Sequence, residues 1–258
     1  MPGKKTEARL LSLGQAALAN SGAFVLFSQG SELGPMYKTF GMGGVCKALS
    51  LYWIGFHATD DSFWHWIYSD PKAGRIRQKG ANQLHGALVI MLHTEYGDRY
   101  QDRATHLSNA PVANDMLTGG PRPPSAERKE IYKDAFAESF LRPYKVFPRK
   151  GITGSDAFRT NTSISGDRLT AREVTDAVTR HTGCYCQLST SGGSGTHGKH
   201  AMALWVGQTD VSFFDPNNGE FWFPTHKNFQ RWLVTFLGVT GYDRKYSSMN
   251  TRWYNAAA

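Results

Sequence analysis

The chain is poor in cysteine, with only Cys46, Cys184 and Cys186 among its 258 residues. Three cysteines do not make a disulfide framework, and Cys184 and Cys186 are not expected to bridge each other. No His or Cys group has the spacing of a structural zinc site, and the nine histidines are dispersed, so neither metal nor cofactor is expected. No apolar run approaches the roughly 18 residues that a membrane-spanning helix needs. Acidic residues are in deficit, 21 Asp and Glu against 29 Lys and Arg, which leaves a net charge of +8. That balance favours anionic surroundings, such as an acidic membrane surface or an acidic partner, with a merely soluble basic surface as the alternative. The Lys and Arg residues are scattered rather than gathered in a stripe. With no nucleic-acid-binding module in sight, no nucleic-acid partner is expected.

What remains is an ordinary globular composition, 40% hydrophobic and 13% aromatic, long enough for one large domain or two small ones. Lys4, Lys5 and Arg9 precede an apolar run, Leu10 to Ala19, in the manner of a signal peptide, but Gly14 and Gln15 interrupt it. Residues 1–20 are therefore read as a leader or disordered segment, with a short amphipathic helix as the alternative. Residues 21–258 are read as one domain.

The most informative stretch is late. His200-Ala201-Met202-Ala203-Leu204-Trp205-Val206 and Val211-Ser212-Phe213-Phe214-Asp215 flank the polar Gly207-Gln208-Thr209-Asp210, the pattern of a β-hairpin. If Val206 pairs with Val211, His200 and Asp215 lie diagonally on one face, within reach of a side-chain hydrogen bond. A carboxylate that accepts an imidazole N–H fixes its tautomer and stabilises the imidazolium, which is half of a nucleophilic triad. The missing nucleophile is offered upstream by Cys46, where Gly43-Gly44-Val45 enters the apolar run Ala48 to Phe56. A buried helix starting at or near Cys46 would lower the thiol's pKa through its macrodipole and free N–H groups. Inert packing of this cysteine at a helix start is the plainer alternative.

Elsewhere, residues 60–142 read as mostly helical, including a helix through Gln83 to His93 and a charged amphipathic one from Ser125 to Leu141. The Gly119–Pro124 breaker cluster reads as a loop. Residues 149–168 are polar and Gly/Ser/Thr-rich, as in a mobile loop. Thr170-Ala171-Arg172-Glu173 is a capping box that opens a helix, Cys184 to Ser189 a strand, and Glu220 to Phe223 another. His226 to Val239 has the spacing of an amphipathic helix, and the tail to Tyr254 reads as one more strand.

Three blocks together resemble the YopT-like cysteine proteases of bacterial effectors, the group that includes the AvrPphB-type proteins. They are Gly44-Val45-Cys46-Lys47-Ala48-Leu49-Ser50 with Trp53, then His200 to Ala203, then Phe213-Phe214-Asp215-Pro216-Asn217-Asn218-Gly219-Glu220-Phe221. The resemblance implies an α+β, papain-like cysteine protease fold over residues 21–258, its helical part carrying the nucleophile and packed on an antiparallel sheet carrying His and Asp. It implies Cys46 as nucleophile, His200 as general base and Asp215 as orienting acid, with His197 a weaker alternative base. It further implies a thiol protease that cleaves a protein substrate, secreted and delivered into a target cell.

One position departs from the papain-like plan. A side-chain amide five or six residues before the cysteine usually helps to hold the oxyanion, but Gly41 and Phe40 stand there. A backbone N–H of Gly41 to Gly44, or a residue between 28 and 39 such as Gln29, could replace it. The same triad could also serve a transglutaminase or a cell-wall amidase, or persist in a catalytically weak effector that acts by binding.

Overall fold

The computed structural model describes residues 3–42, 44–68, 81–95, 135–149, 156–159, 170–191 and 199–256. Their centre is an antiparallel sheet in the order β1-β7-β6-β5-β4-β8-β2, with β3 paired to the same edge of β8 as β2. The strands are β1 (Ala23–Leu26), β2 (Val146–Pro148), β3 (Asp156–Arg159), β4 (Cys184–Ser191), β5 (His200–Val206), β6 (Val211–Asp215), β7 (Gly219–Phe223) and β8 (Ser248–Ala256). The β5–β6 hairpin has Val206 opposite Val211 and Ala203 opposite Phe214, the register expected from the sequence.

Helices cover both faces, which is why the central strands are buried almost throughout. On one face, α1 (Lys4–Ala19), α7 (Ala171–Val178) and α8 (His226–Thr240) close a core of alternate strand residues, Met202, Leu204 and Val206 from β5 among them. Trp232 of α8 anchors it, packed among Phe213, Phe221, Phe223, Phe229 and Phe236, with its indole N–H donated to the Leu13 carbonyl at 3.2 Å. The other face belongs to α4 (Cys46–Ala58), α5 (Phe63–Tyr68) and α6 (Gln83–Glu95), whose core takes in the opposite parity of the strands, Ala203 and Phe214. Short helices α2 (Gln29–Glu32) and α3 (Gly34–Thr39) lead from β1 toward α4, and α9 (Tyr242–Lys245) leads from α8 to β8. The Thr170 and Thr225 hydroxyls cap α7 and α8, accepting from the Glu173 and Asn228 backbone N–H groups.

Of the readings offered for residues 1–20, the helix is the one the structure holds and the disordered segment is not: residues 4–19 form a docked helix with Leu13 and Ala17 completely buried. Gly14 is the reason the helix fits: a Cβ there would stand 2.8 Å from the Phe24 ring. Within the 149–168 stretch expected as a loop, Asp156–Arg159 instead pair with Ser248–Thr251 of β8. The Gly119–Pro124 loop, the first part of the Ser125–Leu141 helix, and His197 lie outside the described residues, though 135–141 are helical.

Candidate active site

The site lies where β5 begins. β5 extends past the last paired residue of β6, so His200 stands at the sheet's end while Asp215 closes β6. The diagonal read from the register is realised: His200 Nε2 and Asp215 Oδ1 are 2.8 Å apart, with both side chains buried. Asp215 is held from its other sides as well. The Asn217 backbone N–H donates to Oδ1 at 2.8 Å, and the Asn218 side-chain amide donates to Oδ2 at 2.6 Å. The Asp-Pro-Asn-Asn turn thus wraps its own carboxylate, an Asx-type arrangement. Gly219 follows with φ +114°, and a Cβ there would lie 2.0 Å from the Val25 carbonyl, so only glycine lets β1 close on this turn.

Cys46 is the first residue of α4, whose N-cap, Val45, offers no side-chain cap. The sulfur therefore stands at the positive end of the helix dipole. Cys46 is partly exposed and hydrogen-bonded to His200, and the Ala201 backbone N–H also donates to it. Because the Nε2 proton is given to Asp215, Nδ1 is the imidazole atom left to receive the thiol proton.

The electrostatics are consistent with an ion pair. Burial pushes the Cys46 thiol up, but the His200 hydrogen bond and charge, with the Ala201 N–H, more than reverse this and leave it below the ordinary thiol range. Burial likewise pushes the His200 imidazolium down, yet Asp215 and then Cys46 raise it to about 10. Asp215 remains below the usual carboxylate range because His200, the Asn217 N–H and Asn218 outweigh its burial.

Gln29, named from the sequence as one candidate oxyanion donor, is buried against this turn. Its Oε1 accepts from the Val45 N–H at 2.9 Å and its Nε2 donates to Asn217 Oδ1 at 2.8 Å. Tyr242 was not singled out from the sequence. It accepts from Asn217 Nδ2 at 2.9 Å and packs edge-on against the His200 ring. Arg9 of α1 also reaches this loop, donating to the Asn217 carbonyl at 3.2 Å. Only the Asn-rich turn carried a local signal; Tyr242 and Arg9 arrive through tertiary packing.

An early helix led by a cysteine, packed on an antiparallel sheet that ends in a hydrogen-bonded His–Asp pair, is the layout of papain-like cysteine peptidases. The chain belongs to the Peptidase_C58 family, described as Yersinia/Haemophilus virulence surface antigen, whose model matches residues 15–252. It is 24% identical over 192 residues to the cysteine protease yopT1 of Yersinia enterocolitica, covering 74% of this chain and 49% of that protein. It is also 24% identical over 239 residues to the protein adenylyltransferase and cysteine protease IbpA of Histophilus somni, covering 90% of this chain and 5% of IbpA. The chain thus spans about half the length of yopT1 and a small part of IbpA. Among solved structures, the Pseudomonas avirulence protein AvrPphB shares the fold at a TM-score of 0.50 and 15% identity, over 82% of this chain and 92% of that one.

Proposed function

We propose that this chain is a cysteine endopeptidase, with Cys46 as nucleophile, His200 as general base and Asp215 as the group that orients it. The carrying observation is the Cys46 thiol at a helix N-terminus, hydrogen-bonded to an imidazole whose far side is held by a buried carboxylate. His200 Nδ1 accepts the thiol proton, and the thiolate attacks the scissile carbonyl carbon. The developing oxyanion is met by the Cys46 backbone N–H and the positive end of α4. The imidazolium then protonates the leaving amine, the C–N bond breaks, and an acyl-enzyme remains on sulfur. A water deprotonated by His200 releases the acid and regenerates the thiol.

The catalytic unit is a single papain-like domain to which α1 contributes. Its substrate is a protein, and the named relatives support a role as a secreted effector delivered into a target cell. The net charge of +8 adds an affinity for acidic surfaces such as a membrane. Mapping peptide termini in a target-cell lysate tests the reading: new termini should form with the wild-type protein and vanish with Cys46→Ala. Isopeptide bonds to added amines, without new termini, would replace proteolysis by transglutamination.

A further inference from the structure

The hydrogen bonds around Gln29 can be traced in one direction only. The Val45 N–H can only donate, so the Gln29 atom 2.9 Å away must be its carbonyl oxygen. Gln29 Nε2 therefore faces Asn217, which must present Oδ1 at 2.8 Å. Asn217 Nδ2 is thereby turned toward the Tyr242 hydroxyl at 2.9 Å and stands 3.4 Å from His200 Nε2. Both of those last nitrogens are donors, since the Nε2 proton belongs to Asp215, so this is a contact and not a hydrogen bond. Reversed, Asn217 would point a carbonyl at His200 Nε2 and compete with Asp215 for its proton. The backbone ties in the same place: Gln29 N–H donates to the Pro216 carbonyl at 2.7 Å.

We propose that Gln29 is a positioning residue for the Cys46–His200–Asp215 site. It fixes the residue that precedes Cys46, and it holds Asn217 in the orientation that leaves Asp215 as the acceptor for His200. This rests on the proteolytic reading above, in that it gives Gln29 a role only if Cys46 and His200 work together. The Gln29 amide is buried, and its hydrogen bonds and those of Asn217 tie α2, the start of α4 and the β6–β7 turn together. Losing it costs alignment rather than substrate contact, and misplacement on the order of 1 Å can cost about a hundredfold in rate.

The test is the pH dependence of Cys46 alkylation, followed by mass spectrometry, in the wild type, Gln29→Met and Gln29→Glu, beside kcat, KM and thermal unfolding. Gln29→Met removes both bonds. Gln29→Glu keeps the acceptor for Val45 and forces Asn217 to turn its amide around. Each variant should move the Cys46 alkylation midpoint to higher pH, slow labelling at pH 6 by about tenfold or more, and lower kcat with little change in KM. Should Gln29→Met not fold, the near-isosteric Gln29→Glu carries the same expectation. A lowered melting temperature with an unchanged alkylation profile makes Gln29 merely structural and overturns the inference. Wild-type Cys46 that labels at pH 6 no faster than Cys184 would overturn the proteolytic reading itself, which is a different result.

Discussion

The β4–β5 pair ends in two very different thiols. At one end Thr190 faces His200, and Cys46 meets that histidine. At the other Cys184 faces Val206, with the Arg149 guanidinium 3.5 Å from its sulfur. Six residues of strand, about 20 Å, separate the two ends. Each thiol has a cation beside it, yet Cys46 lies below the ordinary thiol range while burial holds Cys184 above it despite Arg149. The difference is the number of groups aimed at the sulfur. Cys46 has a helix N-terminus, a backbone N–H and an imidazole whose charge Asp215 stabilises from behind; Cys184 has a single guanidinium hydrogen bond, set against the desolvation of an apolar core. A neighbouring positive charge alone does not make a reactive cysteine.

The largest effect tests the reactive end. Cys46→Ala and His200→Ala should each abolish turnover without unfolding the protein, read from peptide cleavage and circular dichroism. Neither side chain anchors the core, and each removes one chemical role. The double variant should be no worse than either single one, because parts of one device fail together. Losses that multiply, or activity that survives Cys46→Ala, would dissolve the contrast between the two thiols.

Asp215→Asn should keep the fold and the thiol yet lower kcat by about 10⁴-fold, since the amide can present its NH2 where an acceptor is needed and favours the wrong tautomer. The pH profile sharpens this. Activity should rise with Cys46 ionisation on the acid side and fall on the alkaline side as His200 loses its proton, near pH 10 in the wild type. Removing the carboxylate removes the main cause of that elevation. The alkaline limb should then move to lower pH, toward the ordinary histidine range. An alkaline limb that stays in place would show that Asp215 does not hold the imidazolium.

How far these contrasts were legible in the sequence depended on distance along the chain. The hairpin register followed from two apolar runs about a four-residue turn, so the His200–Asp215 diagonal could be drawn from spacing alone. The approach of Cys46 to His200 could not. It depends on α4 packing against the sheet face that holds Ala203 and Phe214, a contact between segments far apart along the chain. Gln29 could be named as a polar residue upstream of Cys46, but its two bonds, one to Val45 and one to Asn217, exist only once β1 joins β7. The first helix stayed open to two readings, helix or disordered leader, for a local reason. Gly14 looks like a fault in an apolar leader until Phe24 is seen to fill the space where a side chain would stand.

Next in size is the alkylation contrast itself, which needs no substrate. At pH 6 Cys46 should be labelled well ahead of Cys184 and Cys186, because its thiolate is stabilised and its side chain is partly exposed, whereas the other two are buried. Equal labelling of all three in the folded protein would remove the ion pair from the site.

The smallest expected effect applies one substitution to both ends. Cys184 shares a strand face with Cys186 and Leu188, and all three are packed into the Trp232 core. Cys184→Ala removes a buried sulfur and leaves a small cavity, a loss on the order of 1 kcal/mol by analogy with other single-group deletions in cores. In a domain of this size that corresponds to a fall in melting temperature of about 2–4 °C. Arg149 keeps its backbone bond to the Trp253 carbonyl, so the edge of the sheet should not open. Turnover and the Cys46 alkylation profile should be unchanged, since no group of the site touches Cys184. Cys46→Ala should show the opposite pattern, all activity lost and melting little altered, because Cys46 packs at the rim of the core rather than within it. If Cys184→Ala lowered turnover as well, the two ends of the strand pair would be coupled, and the division between a structural thiol and a reactive one would have to be withdrawn.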